Sequence, residues 1–65
     1  MTEIERMIND YSISYNKRSY LIREDVRQEI ATDGRMTDYR KGLKQGIKAL
    51  DDELAVLDMK LGYNL

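Results

Sequence analysis

Apolar residues in the second half of the chain fall at Met36, Tyr39, Leu43, Ile47, Leu50, Leu54, Leu57 and Leu61. Gaps of 3 or 4 repeat without a slip over more than three heptads, which is the period of a helical stripe. Thr37 is placed to cap this helix. Asp38 follows in the first turn, where a carboxylate suits the positive end of the helix dipole. At the other end "KLGY" has the form of a glycine stop, with Gly62 left-handed and Tyr63 folded back on Leu57 or Asp58.

The first half opens with "TEIE", a capping box in which the Thr2 hydroxyl and the Glu5 carboxylate each satisfy a backbone N–H. Ile4, Ile8, Tyr11, Tyr15, Ile22, Val26 and Ile30 then share a helical face. One stretch carries a competing signal: in "DYSISYN", Tyr11, Ile13 and Tyr15 alternate with serines, a strand-like period. The helical phase before that stretch is resumed after it, which favours a continuous helix over a break near Ser14–Asn16. Gly34 can end this helix and Thr37 begin the next, and so short a turn forces the two to lie antiparallel.

The expected fold is therefore all-α: one domain over residues 1–65, an antiparallel, coiled-coil-like two-helix hairpin. Helix 1 covers about 3–32, the turn 33–37 and helix 2 38–61, with arms of roughly 40 and 36 Å at ~1.5 Å per residue. A lone hairpin leaves the outer side of each stripe wet, so a homodimer forming a four-helix bundle is the expected completion. In length and predicted plan the chain resembles the small plasmid-type Rop proteins, whose hairpins dimerise into four-helix bundles. That resemblance is one of architecture and implies no function.

Two glycines stand inside helix 2, in "KGLKQGIKAL". Each costs about 1 kcal/mol relative to alanine in a helix interior. Gly42, Gly46 and Ala49 lie together on the flank of the Leu43-Ile47-Leu50-Leu54 stripe, which suggests a groove where a neighbour rests on bare backbone. The expected occupants are Tyr15, or Tyr39 of a second copy. The self-association set is thus Tyr15, Tyr39, Gly42, Leu43, Gly46, Ile47, Leu50 and Leu54. The plainer alternative is a helix that tolerates its glycines because packing nearby is strong.

Composition narrows the chemistry. The 65 residues include no cysteine, histidine, proline, phenylalanine or tryptophan, and 35% are charged. Disulfides are excluded, and the commonest metal ligand and general base are missing. A chain this short buries only about 60% of the surface its unfolded form exposes, so self-association is its remaining way to cover apolar area. Ser12, Ser14 and Ser19 have no base to activate them. "LDDELAVLD" lacks the alternating loop spacing of a calcium site, and "KGLKQG" is not a phosphate loop. No catalytic, cofactor or metal site is expected. The longest apolar run, Leu54–Leu57, is far too short to span a membrane, and Thr2-Glu3-Ile4-Glu5 is acidic where a signal peptide needs positive charge. A cytoplasmic protein is the expectation.

Charge is distributed in two blocks. Residues 17–48 hold nine Lys/Arg and five Asp/Glu, net +4, while the rest holds two and seven, net −5. A hairpin brings the first block to the turn end and the second to the termini. Solvated helix faces with intrahelical charge pairs are one reading of this pattern. Docking of a basic half on the acidic half of another copy is a second use, because complementary charge steers orientation. Nucleic-acid contact through Arg40, Lys41, Lys44 and Lys48 is a third, opposed by a pI near 5.3.

A further stripe, Ile13, Lys17, Tyr20, Glu24, Arg27 and Ala31, runs down the outer face of helix 1. Tyr and Arg are over-represented at interface hot spots, so the first five are candidates for binding a protein partner. The leading expectation is a small interaction protein that self-associates and regulates or inhibits a larger protein. Short cysteine-free helical chains of this composition are common among bacteriophage-encoded regulators and inhibitors, and a phage-encoded inhibitor of a host defence system is one form this expectation takes. A nucleic-acid-binding hairpin dimer and a structural subunit of a larger assembly are the alternatives.

Overall fold

The computed structural model describes residues 2–64. Among them the chain forms two helices, α1 (Glu3–Ala31) and α2 (Asp38–Asn64), packed antiparallel into a rod of 46 × 16 × 14 Å. α1 runs unbroken through Ser14–Asn16, so the helical phase outweighs the local alternation of Tyr11, Ile13 and Tyr15.

Both N-termini are capped by the expected threonine hydroxyls, while among the described residues only the Thr2 half of the capping box at α1 is formed. The Thr2 hydroxyl accepts the Glu5 N–H at 3.2 Å, and the Thr37 hydroxyl accepts the Arg40 N–H at 3.2 Å. Such caps contribute about 1 kcal/mol each. The turn is a Schellman closure. Gly34 N–H donates to the Glu29 carbonyl at 2.8 Å, and Asp33 N–H to that of Ile30 at 3.3 Å. The Thr32 hydroxyl closes the same turn, donating to the Gln28 carbonyl at 2.6 Å.

Asp33 (φ 55°) and Gly34 (φ 79°) are both left-handed. The position directly after the cap is therefore held by Asp33, and Gly34 follows it. A left-handed backbone costs an ordinary L-residue about 1–2 kcal/mol, less for Asp, whose side chain tolerates the region. Asp33→Gly is expected to raise the melting temperature by a few degrees, roughly 4–8 °C per kcal/mol in a domain this small. A fall in the thermal midpoint by circular dichroism would show that the Asp33 side chain stabilises the turn.

The far end differs from expectation. α2 continues through Gly62 to Asn64, Gly62 is not left-handed, and Tyr63 stands 85% exposed rather than folded back. Water can satisfy the free carbonyls of an exposed final turn, so no left-handed residue is needed to satisfy them.

The seam between the helices is also placed differently on α1. Its inward positions are Ile4, Met7, Tyr11, Ser14, Arg18, Leu21 and Asp25, spaced 3-4-3-4-3-4. On α2 they are Arg40, Leu43, Ile47, Leu50, Leu54, Leu57 and Leu61, with the same alternation. Buried apolar side chains are Met7, Leu43 and Leu54, joined by polar Ser14, Asp25 and Arg40. The expected α1 face is thus only half used. Ile4 and Tyr11 serve the seam and Ile22 is half-buried beside it, while Ile8, Tyr15, Val26 and Ile30 are exposed. Specific partners for Asp25 and Leu21 on α2 set the helix rotation, against the centre of its apolar residues. On α2, Arg40 takes the inward position expected for Tyr39, and Met36 lies before the helix.

Candidate interaction surface

At the turn end the seam carries a cluster of charge. Arg40 Nε donates to Asp25 Oδ1 at 3.0 Å, and Arg40 Nη1 donates to the Arg35 carbonyl at 3.1 Å. Glu29 lies 3.7 Å from Arg40 Nη2, and Lys44 Nζ is 3.1 Å from the second Asp25 oxygen. The Arg40 side chain is 5% exposed. Its hydrogen bond, followed by that of Lys44, holds the Asp25 carboxyl below the ordinary carboxylate range. Two opposite charges facing across the seam favour the register that pairs them and penalise the others. Further along, Arg18 pairs with Asp51 on the same side of the hairpin.

The pairs divide the remaining surface into two faces. Lys44–Asp25 and Arg18–Asp51 mark one. The other is marked by the Tyr39 hydroxyl donating to Glu24 at 3.3 Å and by Leu21 lying against Gly46.

This second face brings together two stripes that the sequence shows separately. Ile13, Lys17, Tyr20, Glu24 and Arg27 form its α1 wall. Tyr39, Gly42, Gly46 and Ala49 form its α2 wall. Between them, Asn16, Lys17, Tyr20, Leu21 and Leu50 line an open groove, and Tyr20, Arg23, Glu24 and Arg27 line a smaller hollow beside it. Tyr20, 61% exposed, stands between the two. Glu24 is half-buried: besides Tyr39 it accepts from Gln28 at 3.4 Å and pairs with Arg27 at 3.7 Å. Desolvation, with the adjacent Glu24 charge, raises the Tyr39 hydroxyl above its usual value.

Within the chain Gly46 has a neighbour other than Tyr15, and Gly42 has none. A Cβ on Gly46 would come within 3.1 Å of Leu21 Cδ1, whereas one on Gly42 would meet nothing within 4 Å. Tyr15 lies on the opposite face and cannot reach either glycine within the chain. The self-association set is split three ways: Tyr15 on the first face, Tyr39, Gly42 and Gly46 on the second, and Leu43, Ile47, Leu50 and Leu54 in the hairpin's own seam. The basic set is split as well. Arg40 is buried and Lys44, though exposed, is paired with Asp25, while Lys41 and Lys48 are exposed outside that cluster.

Asp25 and Arg18 are the residues that sequence reading passed over. Both continue the 3-4 spacing from Met7 through Ser14, a signal masked by their charge. Among the described residues no three metal-ligating side chains converge, and no helix is long and apolar enough to cross a membrane. No family model matches the sequence, and neither curated proteins nor solved structures yield a match.

Proposed function

We propose that this chain is a non-enzymatic protein–protein interaction module, one that pairs with a second copy and regulates or inhibits a larger protein by occupying its surface. The balance of apolar side chains supports this most directly. Among the described residues eleven large hydrophobics are exposed and three apolar residues are buried. Scattered exposed apolars need no explanation, but seven of these lie in stripes on two faces, Ile8, Tyr15, Val26 and Ile30 on one and Ile13, Tyr20 and Tyr39 on the other, and stripes form patches that partners cover. The surface hollows are open grooves, of the kind that receives a side chain or a helix rather than encloses a substrate.

In this reading the groove face, with Tyr20 as anchor, meets the protein partner. An exposed tyrosine beside an apolar groove, with Arg27 on the same face, matches the tyrosine and arginine enrichment of interface hot spots. Tyr20 contributes nothing to the seam, so Tyr20→Ala is expected to leave helicity and melting intact. It should weaken partner binding at least about tenfold, which is ~1.4 kcal/mol.

The test begins with partner capture from the source cell and identification by mass spectrometry, followed by titration of the purified partner with both variants. Equal affinities for wild type and Tyr20→Ala would remove the groove face from the reading. Duplex DNA serves as the contrasting titrant. Binding tighter than about 10⁻⁶ M at physiological salt, with a steep log–log salt slope, would instead favour nucleic acid.

A further inference from the structure

The first face carries an apolar stripe outside the seam that is close to symmetric about its own middle. Ile8, Tyr15, Ser19, Ile22, Val26 and Ile30 lie on one flank of α1, and Ile30 is the most exposed of them at 78%. The Tyr15 ring is stacked on Tyr11, centroids 6.5 Å apart and planes within 13°, so it is held in place before any partner arrives. Ile8 and Ile30 are eleven residues either side of Ser19, and Tyr15 and Ile22 are four and three away. Two copies laid antiparallel across Ser19 therefore set Ile8 against Ile30 of the second copy, and Tyr15 against its Ile22. A serine at the crossing lets the helix axes approach the close end of the ~8–10 Å packing range.

Charge changes sign at that same level. The basic block begins at Lys17 on α1 and ends at Lys48 on α2, next to the Arg18–Asp51 pair. A two-fold axis at Ser19 superposes the +4 half of one copy on the −5 half of the other. A parallel arrangement would set like on like. The area fits as well: a compact 7.7 kDa chain exposes about 4,300 Å², and this hairpin exposes 5064 Å². The excess, about 700 Å², approaches the ~800 Å² per partner of a standard interface.

We infer that this flank of α1 is the contact with a second copy of the chain, antiparallel and isologous, with the two-fold axis passing Ser19. The inference rests on the self-association part of the proposed function and names its geometry. A residue on such an axis lies beside its own counterpart, which satisfies the Cα separation of under about 7 Å that a disulfide needs.

The full chain carrying Ser19→Cys, and separately Ala49→Cys on the opposite face, is oxidised at micromolar concentration and followed on non-reducing gels. Sedimentation equilibrium of the unmodified chain runs alongside. The expected result is a dimer in which Ser19→Cys cross-links at least about tenfold faster than Ala49→Cys. A dimer with equal or reversed rates overturns the α1 contact and leaves self-association standing. A 7.7 kDa species at every concentration, with full helicity, overturns both.

Discussion

Arg40→Ala is expected to destabilise the hairpin by about 3 kcal/mol, the lower end of the range for breaking a buried ion pair. A domain of this size has a total stability of only roughly 3–10 kcal/mol, so the variant should be largely unfolded a little above room temperature. Removing Arg40 strips Asp25 of its shorter hydrogen bond and leaves the Arg35 carbonyl with the Thr32 hydroxyl at 3.0 Å in place of two donors. Lys44 still reaches the second Asp25 oxygen, which is why the loss falls at the low end. Thermal melts by circular dichroism read the effect directly, and an unchanged midpoint would show that the pair contributes nothing.

The acid limb offers an independent reading of the same pair. The Asp25 carboxyl is lowered in the folded chain, first by Arg40 and then by Lys44. Folding thus favours the ionised form. Its contribution is complete above the ordinary carboxylate value of about 4 and is lost as pH falls from there through the lowered folded value. In Arg40→Ala that acid-induced loss should shrink. The double variant Asp25→Leu/Arg40→Leu should regain much of the lost stability, because it leaves no unpaired charge in the seam.

Gly42→Leu is expected to raise stability and Gly46→Leu to leave it unchanged or lower it, although the positions are one turn apart. Both remove a helix-interior glycine and gain up to about 0.8–1 kcal/mol of propensity. At Gly42 a side chain enters open space, so the gain survives. At Gly46 the Cβ alone comes within 3.1 Å of Leu21 Cδ1, and the rest of a leucine must displace Leu21 from the seam. Overpacking of that kind costs ~1–3 kcal/mol. The propensity gain is common to both, so the two variants should differ by the overpacking cost, about 1–3 kcal/mol, which is at least about 4 °C in midpoint. If Gly46→Leu melted as high as Gly42→Leu, Leu21 would have to swing aside at no cost, and the close approach would not be a constraint.

The sequence by itself determined both helices, their antiparallel pairing and their N-terminal caps. These depend on local hydrogen bonds and on 3.6-residue periodicity, which neighbouring residues express without reference to the rest of the chain. It also made legible the charge reversal along the rod and the outer stripe through Ile13, Tyr20 and Arg27. Tertiary structure alone decided the rotation of α1 about its axis. An apolar stripe more than 100° wide offers several rotations of similar burial, and the choice among them fell to contacts between residues 15 to 33 apart: Asp25 with Arg40, Leu21 with Gly46, Arg18 with Asp51. That rotation turned Asp25 inward and Ile8, Tyr15, Val26 and Ile30 outward. It also joined the glycine flank of α2 to the Tyr20 flank of α1 in one face, an arrangement no single helix encodes because it exists only once two helices have met in register.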